Sequence, residues 1–181
     1  MNDNAHKKET SLPPVFKNWF EHRGWVPRDH QLACIVAANG GHSHLLIAPT
    51  GGGKTLAGFL PSLITIADRK TPDQGRLHTL YISPLKALAV DIARNLDDPI
   101  KQMQLDVQVE TRTGDTPPAR RQRQKHQPPD ILLTTPESLS LLIAAPDAAI
   151  YFKGLKRIIL DELHALVPNC LLYTSPSPRD S

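Results

Sequence analysis

The sequence predicts an α/β fold in which a mostly parallel sheet is flanked by helices. Short apolar runs alternate with segments of helical periodicity, and that alternation is typical of βαβ units. A glycine-rich turn lies between the apolar run 44–47 and a helix that starts near residue 54. Hydroxyl, lysine and carboxylate side chains follow several apolar runs. Because ligands of open parallel sheets bind beyond the carboxyl ends of the strands, we expect one functional edge.

Two helices are expected before the first strand. The segment 12–22 carries apolar side chains at helical spacing from Val15 to Phe20. Pro27 starts a second helix, which closes at Asn39-Gly40-Gly41. Residues 1–14 are expected to be a disordered N-terminus, up to the start of the first helix.

The remaining elements alternate along the chain. Apolar runs predict strands near 44–47, 79–82, 106–110, 131–134 and 157–160. Amphipathic segments predict helices near 54–67, 85–103, 117–125 and 136–145.

Composition is that of an ordinary globular protein. The 181 residues are 40% apolar and 22% charged, which suits one domain with its own core. No apolar stretch reaches membrane-spanning length and the N-terminus lacks an apolar signal core, so we expect no membrane partner and a cytoplasmic location. Outside residues 170–181, Cys34 is the only cysteine, which excludes a disulfide or zinc framework.

The charge is mildly positive, and its distribution leaves two interpretations open. The net charge of +3 does not by itself indicate a nucleic-acid partner. A basic cluster lies at Arg120, Arg121, Arg123 and Lys125. Most such clusters are solvated helix or loop faces, and a DNA-facing role is the less common alternative.

The segment from Thr50 to Thr55 predicts a phosphate-binding loop. Gly51, Gly52 and Gly53 let the backbone curl so that N–H groups point at anionic oxygens. Lys54 would reach the β- and γ-phosphates, and Thr55 would offer its hydroxyl to Mg²⁺ at the start of a helix. The alternative is a glycine-rich turn that happens to precede a helix.

Two acidic residues follow the last predicted strand. Asp161 can hold Mg²⁺, largely through water, since Mg²⁺ prefers oxygen ligands. Glu162 can orient and deprotonate an attacking water. Taken alone, the pair could equally begin an exposed turn. The phosphate loop upstream favours a site that hydrolyses a nucleoside triphosphate, with Lys54, Asp161 and Glu162 as its catalytic residues.

Two further strand ends share the order hydroxyl residue, proline, helix. Ser83 and Thr135 are suitable N-caps, and Pro84 and Pro136 suit a first helical position. Plain capping explains the pattern. The free N–H groups of two adjacent helix starts could also bind successive phosphates of a nucleic-acid strand, without reading bases.

The composition changes abruptly after Asn169. Residues 170–181 are rich in Ser and Pro, and they resemble a translated transposase sequencing adapter. A natural Ser/Pro-rich tail is the alternative. We therefore expect an artefactual tail at 170–181 and exclude it from fold reasoning.

Taken together, these segments resemble the motifs of superfamily 2 DEXH-box helicases. The segments are Trp25–Gln31 (an adenine-recognising Q-type element), Ser83–Leu88 (motif Ia), Thr113–Asp115 (the T-G-D element), Thr134–Glu137 (motif Ib) and Asp161–His164 (a DExH motif II). The phosphate loop has Ala48 where the general pattern has Gly, which fits the form of this superfamily. The resemblance is to Lhr-type helicases, specifically the bacterial ligase-associated DNA damage response group, and covers roughly residues 15–167.

The resemblance implies a RecA-like P-loop NTPase fold and an ATP- and Mg²⁺-dependent DNA helicase or translocase. It implies movement on single-stranded DNA in the 3′-to-5′ sense, a role in DNA repair beside a ligase or nuclease, and a location at the bacterial nucleoid. Gln31 would read adenine and His164 would couple the two sites. Nucleic-acid contacts would come from Ser83, Pro84, Lys86, Thr113, Gly114, Thr135 and Pro136. The nucleotide contacts would come from Gln31, Thr50, Gly51, Gly52, Gly53, Lys54 and Thr55.

The sequence departs from the family pattern after the DExH motif. It carries no S-A-T motif and no second RecA-like domain with an arginine finger, which can be worth about 10³–10⁵ in rate. We therefore expect residues 15–169 to be a first motor domain that is incomplete at the C-terminus and nearly inactive alone. Its sheet should have an unpaired edge after 157–160. An RNA helicase, a restriction or remodelling translocase, and a non-catalytic nucleotide- or DNA-binding remnant are the alternatives.

Overall fold

The computed structural model describes residues 12–49, 51–69 and 77–165, which form seven helices and four strands. The helices are α1 (Pro14–His22), α2 (Asp29–Asn39), α3 (Lys54–Ala67), α4 (Lys86–Gln102), α5 (Pro118–His126), α6 (Pro136–Ile143) and α7 (Ala148–Tyr151). The strands are β1 (Thr79–Ile82), β2 (Val109–Arg112), β3 (Ile131–Thr134) and β4 (Arg157–Leu160).

The four strands form one parallel sheet in the order β2-β3-β1-β4. At the centre of the sheet, Tyr81 is in register with Leu133 of β3 and with Ile159 of β4. Each chain connection crosses over through helical segments, as parallel strands require. The carboxyl ends of all four strands therefore lie along one edge, which confirms the predicted α/β architecture.

Two apolar clusters cover the two faces of the sheet. The larger cluster joins α1, α3 and α4 to Tyr81, Ile131 and Leu133. The smaller cluster joins α6 and α7 to Leu80, Ile82 and Leu132. Alternate residues of β1 and β3 enter opposite clusters, because successive side chains of a strand point to opposite faces. Full burial of one such side chain contributes about 1.5–3 kcal/mol to folding, so each face of the sheet is stabilised by the helices that cover it.

Most predicted elements are confirmed, with one shift in the sheet. The strands at 79–82, 131–134 and 157–160 and the helix at 54–67 form as expected. The strand predicted at 106–110 instead runs from Val109 to Arg112. Its ladder starts late because the Gln108 N–H donates to the Asp130 carboxylate (3.0 Å) and Gln104 turns the chain with φ +53.

The strand predicted at 44–47 does not form. This segment has no strand pairing in the structure, and Leu45 and Ile47 are 71% and 85% exposed. Apolar composition alone cannot make a strand, because the ladder hydrogen bonds need a neighbouring strand. Within the described ranges β4 pairs only with β1, and Ile158 and Leu160 are exposed. The unpaired edge after 157–160 stays a prediction.

None of the helices in the described ranges combines the length and the apolar composition that crossing a bilayer requires. The predicted lone thiol of Cys34 is buried and free, and burial raises its pKa, so it has no reactive thiolate character.

Candidate nucleotide and nucleic-acid site

Three glycines shape the loop that opens α3. Gly51 and Gly53 have φ of +76 and +74, in the left-handed region that favours glycine. A methyl group on Gly52 would lie only 2.8 Å from the carbonyl oxygen of Pro49. The loop therefore requires glycine at all three positions.

Lys54 and Thr55 occupy the first turn of α3. The left-handed Gly53 is the N-cap and contributes no side-chain cap, so the first N–H groups of α3 have no side-chain partner at the N-cap. The Lys54 ammonium donates to the carbonyl oxygen of Ala48 (2.7 Å), across the base of the loop, and Thr55 is exposed. Thr50, also predicted to bind nucleotide, lies outside the described residues.

Gln31 lies beside this loop. It is buried, and its Oε1 accepts the backbone N–H of Arg28 (3.0 Å). Its Nε2 lies 3.0 Å from where a methyl group on Gly53 would stand. The structure thus brings the predicted adenine reader into contact with the predicted phosphate loop. The side-chain carbonyl oxygen of Gln31 thus already accepts one hydrogen bond, from the N-cap residue of its own helix.

A cavity of about 650 Å³ adjoins Gln31, Gly51, Gly53 and Thr55. Its far wall is formed by aromatic residues of the N-terminal region and by one side of α4, which are Trp19, Phe20, Trp25, Asn95, Leu96, Asp98 and Pro99. An aromatic wall, a carboxamide and a phosphate loop around one cavity suit a nucleobase joined to phosphates.

Arg23 packs against the aromatic wall and holds it in place. This residue was not identified from the sequence. Its guanidinium carbon lies 5.4 Å from the ring centroid of Trp19 and 5.0 Å from that of Trp25. Nε and Nη2 of Arg23 and Nε1 of Trp19 all donate to Oε1 of Gln102, at 3.0, 2.8 and 2.8 Å. No sequence pattern marks Gln102, because its partners lie in another helix far along the chain.

Asp161 and Glu162 follow β4 directly. The Asp161 carboxylate accepts the Tyr81 hydroxyl at Oδ2 (2.5 Å) and the Glu162 N–H at Oδ1 (2.9 Å). Glu162 has φ +48, a conformation that costs a residue other than glycine about 1–2 kcal/mol. His164 is exposed and contacts Glu162 (3.4 Å between Nε2 and Oε2).

The residues present fit a nucleoside triphosphate with Mg²⁺. Left-handed glycines, a helix start and Lys54 form a cradle for phosphate oxygens. Asp161 and Thr55 offer oxygen donors of the kind that Mg²⁺ prefers. Among the described residues no group of three or more His, Cys, Asp or Glu is placed to hold a metal. No hydrogen bond or ion pair between described residues joins Lys54 or Thr55 to Asp161.

The T-G-D turn and Lys86 lie together on the other half of the sheet edge. The Lys86 ammonium contacts the Asp115 carboxylate at 2.9 Å and lies 3.2 Å from where a methyl group on Gly114 would stand. The Thr113 N–H donates to the Thr116 hydroxyl (2.9 Å), which closes the turn. Three residues predicted to bind nucleic acid, Lys86, Thr113 and Gly114, are therefore brought together.

Arg121 holds this turn from α5. Its guanidinium donates to the carbonyl oxygens of Thr116 (2.8 Å), Thr113 (3.3 Å) and Gly114 (2.5 Å). The neighbouring Arg120 and Arg123 pair with Glu110, at 3.4 and 2.7 Å. The basic cluster noted in the sequence is thus largely structural.

The two proline turns differ, and one capping prediction was wrong. Thr135 is the N-cap of α6, its hydroxyl accepts the Ser138 N–H (3.5 Å), and Pro136 is the first helical residue. Ser83 is not an N-cap, because α4 begins at Lys86 after Leu85. Its N–H instead extends the β1–β3 ladder to the Thr134 carbonyl (3.0 Å), since a residue before proline favours an extended backbone.

A model of the DEAD/DEAH box helicases matches residues 28–170, which include the phosphate loop, both proline turns and the Asp161–His164 segment. The chain belongs to this helicase family. The predicted DEXH-box helicase family is confirmed, and with it the RecA-like fold and the nucleic-acid-binding, ATP-binding class.

Several relatives of this helicase domain are Lhr-type proteins. It is 40% identical over 161 residues to the Lhr helicase/probable uracil glycosylase of Mycolicibacterium smegmatis, covering 83% of this chain and 11% of the relative. It is 36% identical to the ATP-dependent helicase Lhr-Core of Methanocaldococcus jannaschii, covering 88% of this chain and 21% of the relative. The helicase domain thus spans 11–21% of the length of these curated relatives.

A solved structure shows the same architecture. It is the Mycobacterium smegmatis helicase Lhr bound to ssDNA and AMP-PNP, with a TM-score of 0.76 and 38% sequence identity. The match covers 86% of this chain and 21% of that one. The Lhr type of this helicase domain agrees with the prediction.

Proposed function

We propose that residues 15–169 form the first motor domain of an ATP-dependent DNA helicase or translocase. The observation that carries the proposal is the left-handed glycine turn that delivers Lys54 to the start of α3. The name of the Lhr structure from M. smegmatis gives ssDNA and AMP-PNP as its bound molecules, which supports the same two ligands here. Because this chain matches only a fraction of its relatives' length, the activity belongs to a longer protein.

The residues around the phosphate loop and after β4 divide the work of ATP hydrolysis. The N–H groups of 51–53 and the Lys54 ammonium bind the β- and γ-phosphates. Thr55 and Asp161 hold Mg²⁺, which neutralises charge on the phosphate oxygens. Glu162 accepts a proton from the attacking water at its carboxylate, and His164 couples this event to the nucleic acid.

The nucleic acid lies along the other half of the sheet edge. Lys86 and the T-G-D turn contact phosphates, and the start of α6 contributes N–H groups beside Thr135 and Pro136. The turn at Ser83 and Pro84 completes this surface. None of these groups reads a base, so the surface suits translocation along a single strand. Single-stranded DNA and the 3′-to-5′ sense are proposed from the resemblance to Lhr-type helicases.

DNA repair is the cellular role that we propose, in the cytoplasm at the nucleoid and beside a repair ligase or nuclease. An RNA helicase or a restriction or remodelling motor would use the same residues. Comparing stimulation of ATP hydrolysis by single-stranded DNA and by RNA of equal length separates the DNA and RNA functions. Residues 1–14 and 170–181 stay outside the proposed motor domain.

Lys54→Ala in the full-length protein tests the proposal. We expect DNA-stimulated ATP hydrolysis to fall at least a hundredfold, because a preorganised charge on the transferring phosphate is lost. A phosphate-release assay with and without single-stranded DNA measures the effect. Lys101→Ala is the matched control, since Lys101 is an exposed lysine that pairs with Asp97 on its own helix. Hydrolysis retained by Lys54→Ala would disprove the assignment of the site.

A further inference from the structure

Helix α4 presents polar side chains to the cavity beside the glycine loop. Asn95 and Asp98 both line this cavity of about 650 Å³. Gln102 lies one turn beyond Asp98 on the same face of α4, because residues four apart in a helix are neighbours. Oε1 of Gln102 accepts Nε1 of Trp19 and Nη2 of Arg23, both at 2.8 Å. These hydrogen bonds hold this face of α4 against the aromatic wall of the cavity.

Asp98 differs from its acidic neighbours on α4 in having both carboxylate oxygens available. Asp97 accepts a hydrogen bond from the ammonium of Lys101 (2.7 Å) and is not among the residues that line the cavity. Asp91 pairs with Arg94 on the same helix (3.8 Å). No hydrogen bond or ion pair joins the Asp98 side chain to another residue in the part of the chain that the structure describes. Its carboxylate is exposed and can therefore accept hydrogen bonds from a ligand.

The charges around the cavity set the direction in which a nucleotide enters it. Among the described residues that line the cavity, Asp98 is the single acidic one. The glycine loop has cations beside it, since Lys54 follows it and Nη1 of Arg28 lies 3.7 Å from where a methyl group on Gly52 would stand. Phosphates are attracted to the loop and repelled by Asp98. The uncharged nucleoside of the ligand therefore faces Asp98.

The chemistry of a carboxylate selects one part of that nucleoside. Adenine presents its amino group beside a ring nitrogen that accepts hydrogen bonds, and a carboxamide such as that of Gln31 matches both groups. A carboxylate only accepts, so it would repel the ring nitrogen. The ribose offers two neighbouring hydroxyls that can both donate, and acidic side chains accept hydrogen bonds from ribose hydroxyls in dinucleotide-binding folds. Asp98 thus matches the ribose better than the base.

We propose that Asp98 accepts hydrogen bonds from the ribose hydroxyls of the bound nucleotide and makes the site prefer ribonucleotides to deoxyribonucleotides. The ribose contact rests on the proposed function, because it takes residues 51–53 as the phosphate loop. It adds a specificity-determining residue on α4 to the contacts of the loop and of Gln31. Since α4 begins at Lys86, a predicted nucleic-acid contact, the nucleotide then engages a helix that reaches both halves of the sheet edge.

Asp98→Ala tests the ribose contact, because it removes both acceptor oxygens and keeps a residue that favours helix. Asp97→Ala is the matched control. It removes the same charge from the adjacent position of α4, and Asp97 does not line the cavity. Thermal unfolding of both variants of the full-length protein comes first, since equal folding isolates the effect of the Asp98 carboxylate on the ligand.

The measurement is the affinity for two ligands, ADP and 2′,3′-dideoxy-ADP, by isothermal titration calorimetry with Mg²⁺. Neither ligand has a γ-phosphate to lose, and they differ only in the two ribose hydroxyls. We expect the wild type to bind ADP about tenfold more tightly, the factor for a hydrogen bond to a charged group. Asp98→Ala should reduce this preference to less than twofold, and Asp97→Ala should keep it. The ratio of the two affinities cancels the general effect of removing a negative charge.

Lys54→Ala separates the two possible failures. We expect it to weaken both ligands and to keep the preference for ADP. If Lys54→Ala binds ADP as tightly as the wild type does, the proposed nucleotide site is wrong and the ribose contact fails with it. If Lys54→Ala weakens binding while Asp98→Ala keeps the tenfold preference, only the ribose contact is wrong. Equal loss of preference in Asp97→Ala, or a wild type that binds both ligands equally, would also overturn it.

Discussion

The proposed functional edge has a nucleotide half and a nucleic-acid half, and the two differ in how completely the chain builds them. The nucleic-acid half is buried and held by hydrogen bonds. Thr113, Thr116, Thr134 and Thr135 are all less than a tenth exposed. The Arg121 guanidinium donates hydrogen bonds to three carbonyl oxygens of one turn. The nucleotide half is open. The segment 42–49 has no strand partner, and Glu162 and His164 are exposed.

The difference shows which contacts each half depends on. The nucleic-acid turns are held by side chains of this chain, so a single positioning residue can loosen them. The nucleotide half depends on the backbone conformation of three glycines and on the hydrogen bonds between Asp161 and β1. Glu162 faces solvent there, whereas Lys54 and Asp161 are half-buried. Substitutions in this half should therefore alter chemistry more than they alter structure.

The largest effect is expected in the nucleotide half, on the rate of ATP hydrolysis by Glu162→Gln. Loss of the proton acceptor should lower ATP hydrolysis by about 10²–10⁴, while affinity for ATP stays within a few fold. Single-turnover hydrolysis and equilibrium binding of a fluorescent ATP analogue by the full-length protein measure the two quantities.

Glu21→Gln is the matched control for that experiment. Glu21 is an exposed carboxylate on α1 that pairs with Lys17 (3.7 Å) and is not among the residues that line the cavity. Wild-type hydrolysis by Glu162→Gln would show that another group accepts the proton.

A smaller effect, on the affinity for single-stranded DNA, is expected for Arg121→Gln in the nucleic-acid half. The turn at Thr113–Thr116 loses three donated hydrogen bonds, and we expect affinity for single-stranded DNA to fall about tenfold. Fluorescence anisotropy of a labelled oligonucleotide at fixed salt measures it, because phosphate binding depends strongly on salt.

Arg120→Gln removes the same charge from the preceding position. Arg120 pairs with Glu110, which keeps Arg123 as a partner, so the turn itself should stay intact. Equal losses of affinity in the two variants would assign the effect of Arg121 to charge and contradict a positioning role.

The smallest effect is expected for Asp115→Asn. Asp115 and Lys86 form an exposed pair (2.9 Å), and such pairs contribute about 0–1 kcal/mol. Releasing Lys86 for phosphate should raise the affinity for single-stranded DNA about two- to threefold. Asp97→Asn, which frees Lys101 at the other end of α4, changes the net charge equally. A fall in affinity, or an equal rise in both variants, would contradict a phosphate role for Lys86.

The sequence was sufficient for the features that local chemistry decides. The strands 79–82 and 131–134 were predictable because their apolar runs are buried on both faces. The glycine turn before Lys54 was predictable because three adjacent glycines are rarely needed elsewhere. The cap at Thr135 followed from a hydroxyl residue before proline.

The sequence was insufficient where a distant neighbour decides the outcome. The run 44–47 resembles a strand, but a ladder needs a partner that composition cannot supply. Ser83-Pro84 resembles the cap at Thr135, yet pairing with Thr134 keeps Ser83 in the sheet. The roles of Tyr81, Arg23 and Arg121 depend on partners that only the folded chain brings near.

The all-parallel order of the sheet has a kinetic consequence. Thr79 pairs with Ile131 and with Arg157, and no two strands of the described sheet are joined by a hairpin. Trp19 likewise reaches Gln102 across 83 positions. Because every such contact must first close a long loop, the sheet assembles slowly, and β4 completes its pairing with β1 only after it has emerged from the ribosome. Until then the apolar strands are available to chaperones and to wrong partners.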